Sequence, residues 1–306
     1  MKKGITWLFT LWGIATSAFG QRPIEALYIT GHTDRYHSWK TMAGYQLTLL
    51  EECGLFHVKT LMLPRTVTGK VVDFTVYDVV ILNVNDVQWP DEWKKDFEKY
   101  MRRGGGLVIV HEADNAFPEW EAFNEMIGLG GWGNRNEEAG PYHYWTEDGW
   151  VTDRQTPGSA GHHGERVPFV INLRQPEHPI VKGMPMQWLH VNDELYGNLR
   201  GPARHMEVIA TAFSDGQSGG TGKEEPVLFT IRYRKGRIFH CVLGHTMPEY
   251  YDALKNRGYQ LVFQRGAEWA ATGRVTQKIP KGMELSISSP TLREMKPIPL
   301  TNQQNP

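Results

Sequence analysis

Histidine and carboxylate side chains follow several of the strands that the sequence predicts. The clearest example is His111 with Glu112, which come directly after the apolar run Leu107–Val110. Residues in the same position after other predicted strands are His32 and His37, then Asn83, Asn85 and Asp86, then His190, Asp193 and Glu194, and finally His245. Taken alone, each is more typical of a structural role, such as a loop histidine bound to backbone. Gathered at one edge of a sheet they indicate a functional site, because ionisable groups are costly to cluster without a ligand or a metal.

Two kinds of chemistry fit these residue types. In proton transfer, histidines supply a base near neutral pH and carboxylates supply an acid or an orienting group. The candidates for that role are His111, Glu112, Asp193, Glu194 and His245. The candidates for ligands of a zinc ion are His32, His111, His245 and Asp193. Because no compact metal signature such as HExxH is present, proton transfer is favoured and zinc stays an open alternative.

Residues 128–164 form a long irregular stretch that contains several aromatic side chains. Such stretches inside compact domains are typically functional, and we expect this one to cover the site as a lid. Apolar faces of sugars pack on aromatic rings, so the stacking candidates are Trp132, Tyr142, Tyr144 and Trp145. Polar contacts with the same ligand are expected from His32, His37 and Asn85. His162 and His163, in a loop rich in Gly and Ser, are expected to be exposed unless the loop folds over the site.

The elements that position these residues alternate between strand and helix over the first 128 residues. Predicted strands at 24–30, 58–63, 77–83 and 107–110 are separated by helices at about 39–52 and 90–103, and a further helix follows at about 118–127. This alternation predicts a doubly wound, mostly parallel α/β sheet. The run Leu107–Val110 lacks alternation, which is typical of a strand buried on both faces. Ligands of such sheets bind beyond the carboxyl ends of the strands. More strands are predicted between 167 and 243, and a helix at about 249–271.

Both ends of the chain are expected to lie outside the folded domain. Lys2-Lys3, the apolar run Ile5–Thr16 and the small residues Ala18 and Gly20 predict a signal peptide over residues 1–20. The protein is therefore expected to be exported, to the periplasm or the medium. The folded domain is predicted over residues 21–273, and a polar, proline-rich tail over 274–306.

The charge balance bears on the partners. The 33 Lys and Arg residues against 34 Asp and Glu give a net charge of −1, so a nucleic-acid partner is not expected. The apolar run near the amino terminus is too short for a comfortable transmembrane helix, and no stable membrane span is expected after signal cleavage. The abundant Trp and Tyr residues suit a sugar or another flat-faced small molecule as partner, and the sequence leaves the oligomeric state open.

Four segments together resemble the ThuA-like, trehalose-utilisation family. They are GHTDRYHSW at 31–39, GGGLVIVHEA at 104–113, the stretch His178–Tyr196 with HPIVKGMP and LHVNDELY, and GRIFHCVLGH at 236–245. The resemblance extends over roughly residues 24–272 and implies a flavodoxin-like fold of the class I glutamine amidotransferase type. Amidotransferases carry a nucleophilic cysteine on the turn after the strand that corresponds to Leu107–Val110, where this sequence has His111-Glu112-Ala113. Cysteine-dependent glutamine hydrolysis is therefore not expected.

The resemblance implies that the substrate is a glycoside or its 3-keto form. In a 3-keto glycoside the ketone acidifies the C2 proton, so a base can remove it and the C1 substituent can leave by elimination. His111 is the predicted base, Asp193 or Glu194 the acid, and His32 or His245 the group that stabilises the enolate. Direct displacement would need two carboxylates ~5–9 Å apart, and Glu112 leaves that route open. Two other functions also stay open: a non-catalytic carbohydrate-binding protein, and a metal-dependent hydrolase of another small substrate.

Overall fold

The computed structural model of the protein describes residues 22–300. Within them the strands are β1 (Ile24–Thr30), β2 (Phe56–Met62), β3 (Val79–Leu82), β4 (Gly106–Val110), β5 (Tyr142–Thr146), β6 (Gly149–Asp153), β7 (Val167–Leu173), β8 (Gln187–Asp193), β9 (Met206–Ser214), β10 (Lys223–Tyr233) and β11 (Gly236–Cys241). The helices are α1 (Trp39–Glu52), α2 (Asp91–Arg102), α3 (Glu121–Ile127), α4 (Asp252–Lys255) and α5 (Arg257–Thr272).

One half of the sheet is parallel, with the strand order β2-β1-β3-β4-β11. Counted along the chain, these five strands have the order 2-1-3-4-5, which is that of flavodoxin-like folds. Every residue of β4 is buried, as the unbroken apolar run predicts. Helix α5 packs against β4 and β11, and α1 packs against β2. The predicted α/β, flavodoxin-like fold is confirmed.

The other half of the sheet continues from β11 through β10, β9, β7 and β8 with antiparallel pairs only. The whole sheet is therefore mixed and not mostly parallel. The reason lies in the connections: β10 and β11 are joined by Arg234-Lys235 alone, whereas a parallel crossover needs about a dozen residues or more. Arg234 has a φ of 56°, as two-residue hairpin turns require.

The predicted irregular stretch at 128–164 contains one regular unit, the antiparallel hairpin β5-β6. Trp145 of this hairpin pairs with Glu224 of β10, so the hairpin is attached to the main sheet. The predicted helix at 249–271 is divided into α4 and α5 at Asn256, whose side chain accepts a hydrogen bond from the backbone N–H of Tyr259. An Asn in this position is a common helix N-cap.

The predicted signal peptide lies outside the described residues. Residues 274–300 contain no helix or strand and run along the domain, where the N–H of Ile298 donates to the carbonyl of Gly44 (3.1 Å) and the carbonyl of Ser286 accepts from Leu189 (2.7 Å). None of the helices within residues 22–300 has the length and apolar character to cross a membrane.

Candidate functional site

Four side chains from distant parts of the chain meet at the carboxyl edge of the sheet: His37, His111, Glu194 and His245. One nitrogen or oxygen of each lies within 4.8 Å of the others. His37 is in the loop after β1, and the other three follow β4, β8 and β11. The strand ends bring together residues up to 208 positions apart (245 − 37), as an edge site in an α/β sheet predicts. We call these four residues the histidine cluster.

His111 stands on a strained turn between β4 and a short 3-10 helix that begins at His111 itself, with a φ of 45°. Its side chain is completely buried and stacks on the ring of Tyr196, with 4.1 Å between ring centroids. Nδ1 donates to the carbonyl of Val242 (2.8 Å), so Nε2 carries a lone pair, and it lies 3.2 Å from Nδ1 of His245. Burial lowers the pKa of His111 well below its ordinary value, and neighbouring His245 and His37 lower it further. His111 is therefore neutral at neutral pH.

His37 is oriented by a chain of hydrogen bonds. Asn85 donates to one oxygen of Asp34 (2.8 Å), and the other oxygen of Asp34 accepts from Nδ1 of His37 (2.8 Å). Nε2 of His37 lies 3.0 Å from the hydroxyl of Tyr196. Burial opposes the charged form of His37, but the charge of Glu112 and the bond to Asp34 outweigh it and raise the pKa. Burial likewise opposes the charge on Asp34, yet its bond to His37 lowers its pKa overall.

Asp193 and Glu194 are neighbours in the chain with different surroundings. The Asp193 carboxylate is buried and accepts hydrogen bonds from the backbone N–H groups of Glu194 (2.9 Å), Gly244 (2.8 Å) and His245 (2.9 Å) and from Nε2 of His190 (2.8 Å). It therefore holds the loop that carries His245. Glu194 instead points into the cluster, with Oε2 3.1 Å from Nδ1 of His245. Burial opposes its charge, but the bond to His245 and nearby histidines lower the pKa of Glu194.

The three imidazole rings form a nearly equilateral triangle. The centroid separations are 5.3 Å for His37–His111, 5.1 Å for His37–His245 and 5.3 Å for His111–His245, and each pair is edge-to-face. Three imidazole nitrogens and one carboxylate oxygen are ligands that zinc and similar ions accept. The described residues that could hold a metal are therefore those of the histidine cluster.

Above the cluster lies a cavity of about 1120 Å³. Its aromatic lining consists of Tyr36, Trp89, Phe117, Trp120, Trp132 and Tyr196. The ring of Trp132 is 4.4 Å from that of Tyr196. His37 and Glu194 reach the cavity, whereas His111 and His245 lie beneath it. The site thus combines flat apolar walls with a polar floor.

His163 also lines this cavity, because the Gly-Ser loop that carries it folds over the site. Nδ1 lies 2.8 Å from the carbonyl of Gly164, so it is the protonated nitrogen of the neutral ring. Nε2 then carries a lone pair, and it is 3.9 Å from Oε2 of Glu194. The side chain is 40% exposed, which leaves it accessible to a ligand.

Glu112 follows His111 but does not line the cavity. It is completely buried, and neither of its carboxyl oxygens has a hydrogen-bond partner. Burial is the main cause that raises the pKa of Glu112 to about 7, and the charge of His37 partly offsets it. Glu112 therefore acts on the site only through its own charge, which raises the pKa of His37.

The remaining predicted site residues lie away from the cluster. His32 lies 3.9 Å from Asp86, and His37 occupies the place in the cluster that was predicted for His32. Likewise Glu194 occupies the place in the cluster that was predicted for Asp193. Tyr142 is bonded to buried Glu225, and Trp145 lies under the guanidinium of Arg174, 4.8 Å from its ring centroid. Tyr144 packs beside Tyr142 (5.0 Å). Of the predicted aromatic set, only Trp132 reaches the cavity.

Several residues of the site had no role in the sequence-based prediction. Asp34 precedes His37 by three residues, a spacing that could have indicated their bond. Tyr196 ends the segment LHVNDELY, but nothing in its position distinguishes it from a core residue. Trp89, Phe117 and Trp120 lie in loops and at a helix start, where the sequence gives no sign of the cavity.

The fold and the site define an α/β protein of flavodoxin-like strand order with a histidine and carboxylate centre at the sheet edge. The model of the ThuA family, described as trehalose utilisation, matches residues 25–270. A ThuA-like protein from Parabacteroides merdae of known structure is 42% identical; the match covers 89% of this chain and 98% of that one, with a TM-score of 0.84. The chain belongs to the ThuA family, and this membership suggests a carbohydrate-related function.

More distant structures share the fold alone. A ThuA-like protein from Bacteroides uniformis is 16% identical, with 85% of this chain and 96% of that one covered and a TM-score of 0.53. A cytoplasmic protein from Salmonella typhimurium is 11% identical, with 80% and 98% covered and a TM-score of 0.50. A comparison with curated proteins gives no match.

Proposed function

We propose that this protein is a carbohydrate-processing enzyme that cleaves a 3-keto glycoside by elimination and hydration. The observation that carries the proposal is the cavity of about 1120 Å³, which has aromatic walls above a floor of proton-transfer groups. Ligand sites typically combine apolar walls with a few convergent polar groups, and sugars present flat C–H faces to such walls. Family membership supports a carbohydrate as the ligand.

His163 is the base in this proposal. The predicted base, His111, is completely buried beneath Tyr196 and cannot reach a ligand in the cavity. His163 lines the cavity and presents the lone pair of Nε2, because its Nδ1–H is bound to the carbonyl of Gly164. An imidazole of this kind transfers protons efficiently near neutral pH.

Tyr196 is the donor that stabilises the enolate oxygen. Burial raises the pKa of Tyr196 well above its usual value, so the hydroxyl keeps its proton. The ring lines the cavity, and the hydroxyl lies 3.0 Å from Nε2 of His37. When His37 is protonated, as its raised pKa favours, Nε2–H donates to the Tyr196 oxygen and leaves the hydroxyl proton for the enolate. A fixed neutral donor at a developing oxyanion lowers the barrier for enolate formation.

The proposed reaction conserves atoms and charge. Nε2 of His163 takes the C2 proton, and the electron pair of the C2–H bond forms the enolate. The enolate then expels the C1 substituent, whose oxygen takes the proton back from the His163 imidazolium. Addition of water across the resulting double bond returns a 3-keto sugar, so the net reaction is hydrolysis.

The protonation of the carboxylates argues against direct displacement. A glycosidase of that kind needs one protonated carboxylic acid to protonate the leaving group. Four carboxylates line the cavity, those of Asp34, Asp86, Glu119 and Glu194. The two that contact the histidine cluster, Asp34 and Glu194, have lowered pKa values and are ionised at neutral pH. Glu112, whose pKa is about 7, does not line the cavity.

The proposal is tested by nuclear magnetic resonance in deuterated water. A 3-keto glycoside should exchange its C2 proton and release its aglycone, and the unoxidised glycoside should do neither. Tight binding of the keto sugar without exchange or release would instead show a binding protein. Hydrolysis of the unoxidised glycoside without exchange would refute the elimination route.

Variants of the two adjacent histidines give a matched comparison. His163→Ala should lower turnover by about 10²-fold or more, since general acid–base groups contribute factors of about 10² to 10⁴. His162→Ala is the control, because the exposed His162 lies outside the cavity and binds the carbonyl of Gly219 (2.6 Å). Equal loss in both variants would remove His163 from the mechanism.

Export is part of the same proposal. Lys2-Lys3 and the apolar run Ile5–Thr16 support a signal peptide that is removed near Gly20. Cell fractionation of the full chain, with amino-terminal sequencing of the product, tests it. We expect a mature chain that begins near Gln21 in the periplasm or the medium, and an intact chain in the cytoplasm would contradict export.

A further inference from the structure

We propose that the histidine cluster binds one divalent transition-metal ion of the zinc class, through Nε2 of His37, Nε2 of His111, Nδ1 of His245 and Oε2 of Glu194. The metal site does not depend on the sugar chemistry proposed above, because it is argued from the positions and hydrogen bonds of these four side chains. It also changes the ligand set expected from the sequence, in which His32 and Asp193 took the places of His37 and Glu194.

Lone pairs of three of the four side chains converge on one point. Nδ1 of His111 donates to the carbonyl of Val242, and Nδ1 of His37 donates to Asp34, so Nε2 of each neutral ring is unprotonated. Oε2 of Glu194 faces the same space. The donors that lie between these acceptors are the hydroxyl of Tyr196, 3.0 Å from Nε2 of His37, and one ring N–H of His245, and a bound ion would take their place. A cation satisfies all of them at once.

The spacing of the ligand atoms is close to that around a tetrahedral ion. A tetrahedral ion with bonds of ~2.1 Å separates its ligands by about 3.4 Å. His111 Nε2 lies 3.2 Å from His245 Nδ1, which in turn lies 3.1 Å from Glu194 Oε2. No pair among the four is more than 4.8 Å apart, so small side-chain movements suffice to close the shell.

A second layer of hydrogen bonds orients the four ligands. Metal-binding histidines usually donate their other ring N–H to a carboxylate or a backbone carbonyl, which fixes the ring and the tautomer. His37 does so to Asp34, which Asn85 holds in place, and His111 does so to Val242. The carboxylate of Asp193 binds the backbone N–H of His245 and thereby fixes the third ligand.

The ion would lie at the base of the cavity. His37 and Glu194 line the cavity floor, so an ion can enter from that side without unfolding of the domain. The imidazole-rich donor set favours zinc, cobalt or nickel over calcium or magnesium, which prefer oxygen ligands.

The test measures metal binding directly. The full chain is freed of metal with a chelator and titrated with Zn²⁺ by calorimetry, and the bound metal is counted by mass spectrometry. Co²⁺ is then used as a spectroscopic probe of ligand geometry. We expect one equivalent of Zn²⁺, a chelator-reversible rise in thermal midpoint, and a four- or five-coordinate Co²⁺ spectrum.

Variants separate ligands from positioning residues. His111→Ala and Glu194→Gln should each abolish the Co²⁺ spectrum of the cluster, and Asp34→Asn, which alters only an orienting group, should weaken Zn²⁺ binding by about 10- to 100-fold. His57→Ala is the control, since His57 is exposed and pairs with Glu25 (2.9 Å). Circular dichroism checks the fold of each variant. If His111→Ala fails to fold, Glu194→Gln decides, because Glu194 is only half-buried.

Two results would overturn the metal site. One is binding of Zn²⁺ to the native chain no tighter than to Glu194→Gln, and the other is loss of binding in His57→Ala. Neither depends on turnover, so a metal site without keto-sugar activity, or that activity without a metal site, would separate this inference from the proposed function.

Discussion

Glu112 makes the stability of this protein depend on pH in a predictable direction. Its carboxyl group is completely buried with neither oxygen bonded, and burial raises its pKa from 4.5 to about 7. In the unfolded chain Glu112 loses its proton near its ordinary pKa, whereas in the folded chain it keeps the proton until about pH 7. The contribution of Glu112 to stability is therefore fully present below the unfolded pKa of 4.5 and is lost as the pH rises through 7. Glu112→Gln keeps the shape of the neutral acid and removes the titration.

The size of the effect follows from the two pKa values. A difference from 4.5 to about 7 corresponds to about 3 kcal/mol between the folded and unfolded states, since one pKa unit is worth ~1.4 kcal/mol. The loss is partial at pH 5 and nearly complete at pH 8. The free energy of unfolding of Glu112→Gln minus that of the native chain should therefore increase by about 2–3 kcal/mol between these pH values. In a domain of this size that is a relative shift of the thermal midpoint of roughly 5–10 °C.

Urea unfolding of the metal-free chain and of Glu112→Gln, repeated from pH 5 to pH 8.5, measures this difference. Glu119→Gln is the control, because Glu119 is an exposed carboxylate a few residues further on. Its free energy of unfolding minus that of the native chain should not change with pH. Subtracting the native chain removes the contributions of other buried groups, such as Glu225, whose pKa burial also raises to about 7. A flat difference for Glu112→Gln would show that burial does not hold its proton, and would refute the reasoning.

Three more substitutions have expected outcomes. Asp193→Ala leaves four donors without their buried acceptor and should destabilise the fold by about 3–5 kcal/mol in urea unfolding, with loss of the site even where the chain folds. Trp132→Ala should weaken the binding of a keto sugar by about three- to tenfold in calorimetry, whereas Trp145→Ala, outside the cavity, should bind like the native chain. Gly161→Ala would place a Cβ 2.6 Å from the indole of Trp132 and should lower both stability and sugar affinity, while Gly158→Ala, also at positive φ but with nothing within 4 Å, should lower stability alone.

The parallel half of the sheet could be predicted because strands buried on both faces have unbroken apolar sequences. Leu107–Val110 is apolar without alternation, and all of it is buried in β4. The antiparallel half has no comparable sequence pattern, since the direction of a strand depends on the length of its connection and on its partners. The hairpin β5-β6 escaped prediction because its first strand, YHYWT, has large polar and aromatic side chains on both faces.

The site could be predicted where a histidine follows a buried strand within a few residues. His111 and His245 come after β4 and β11, and both are in the cluster. Within a longer polar loop the choice fails: His32 and His37 both follow β1, and only the fold of that loop turns His37 inward. Asp193 and Glu194 pose the same problem, because consecutive residues at a strand end point to opposite sides and either could face the site.

The backbone at His111 gives a last reason to assign the cluster a function. A non-glycine residue at a φ of 45° is strained, at a cost of about 1–3 kcal/mol, and persists only where surrounding contacts enforce it. Here the contacts are the bond from Nδ1 to Val242 and the stacking of Tyr196 on the ring. The turn directs a side chain from the buried strand to the edge of the sheet. Other non-glycine residues, such as Ala203 and Arg234, also have positive φ, so the strain alone assigns no function. At His111 it coincides with the convergence of four ligand atoms, and this coincidence supports a functional position for Nε2.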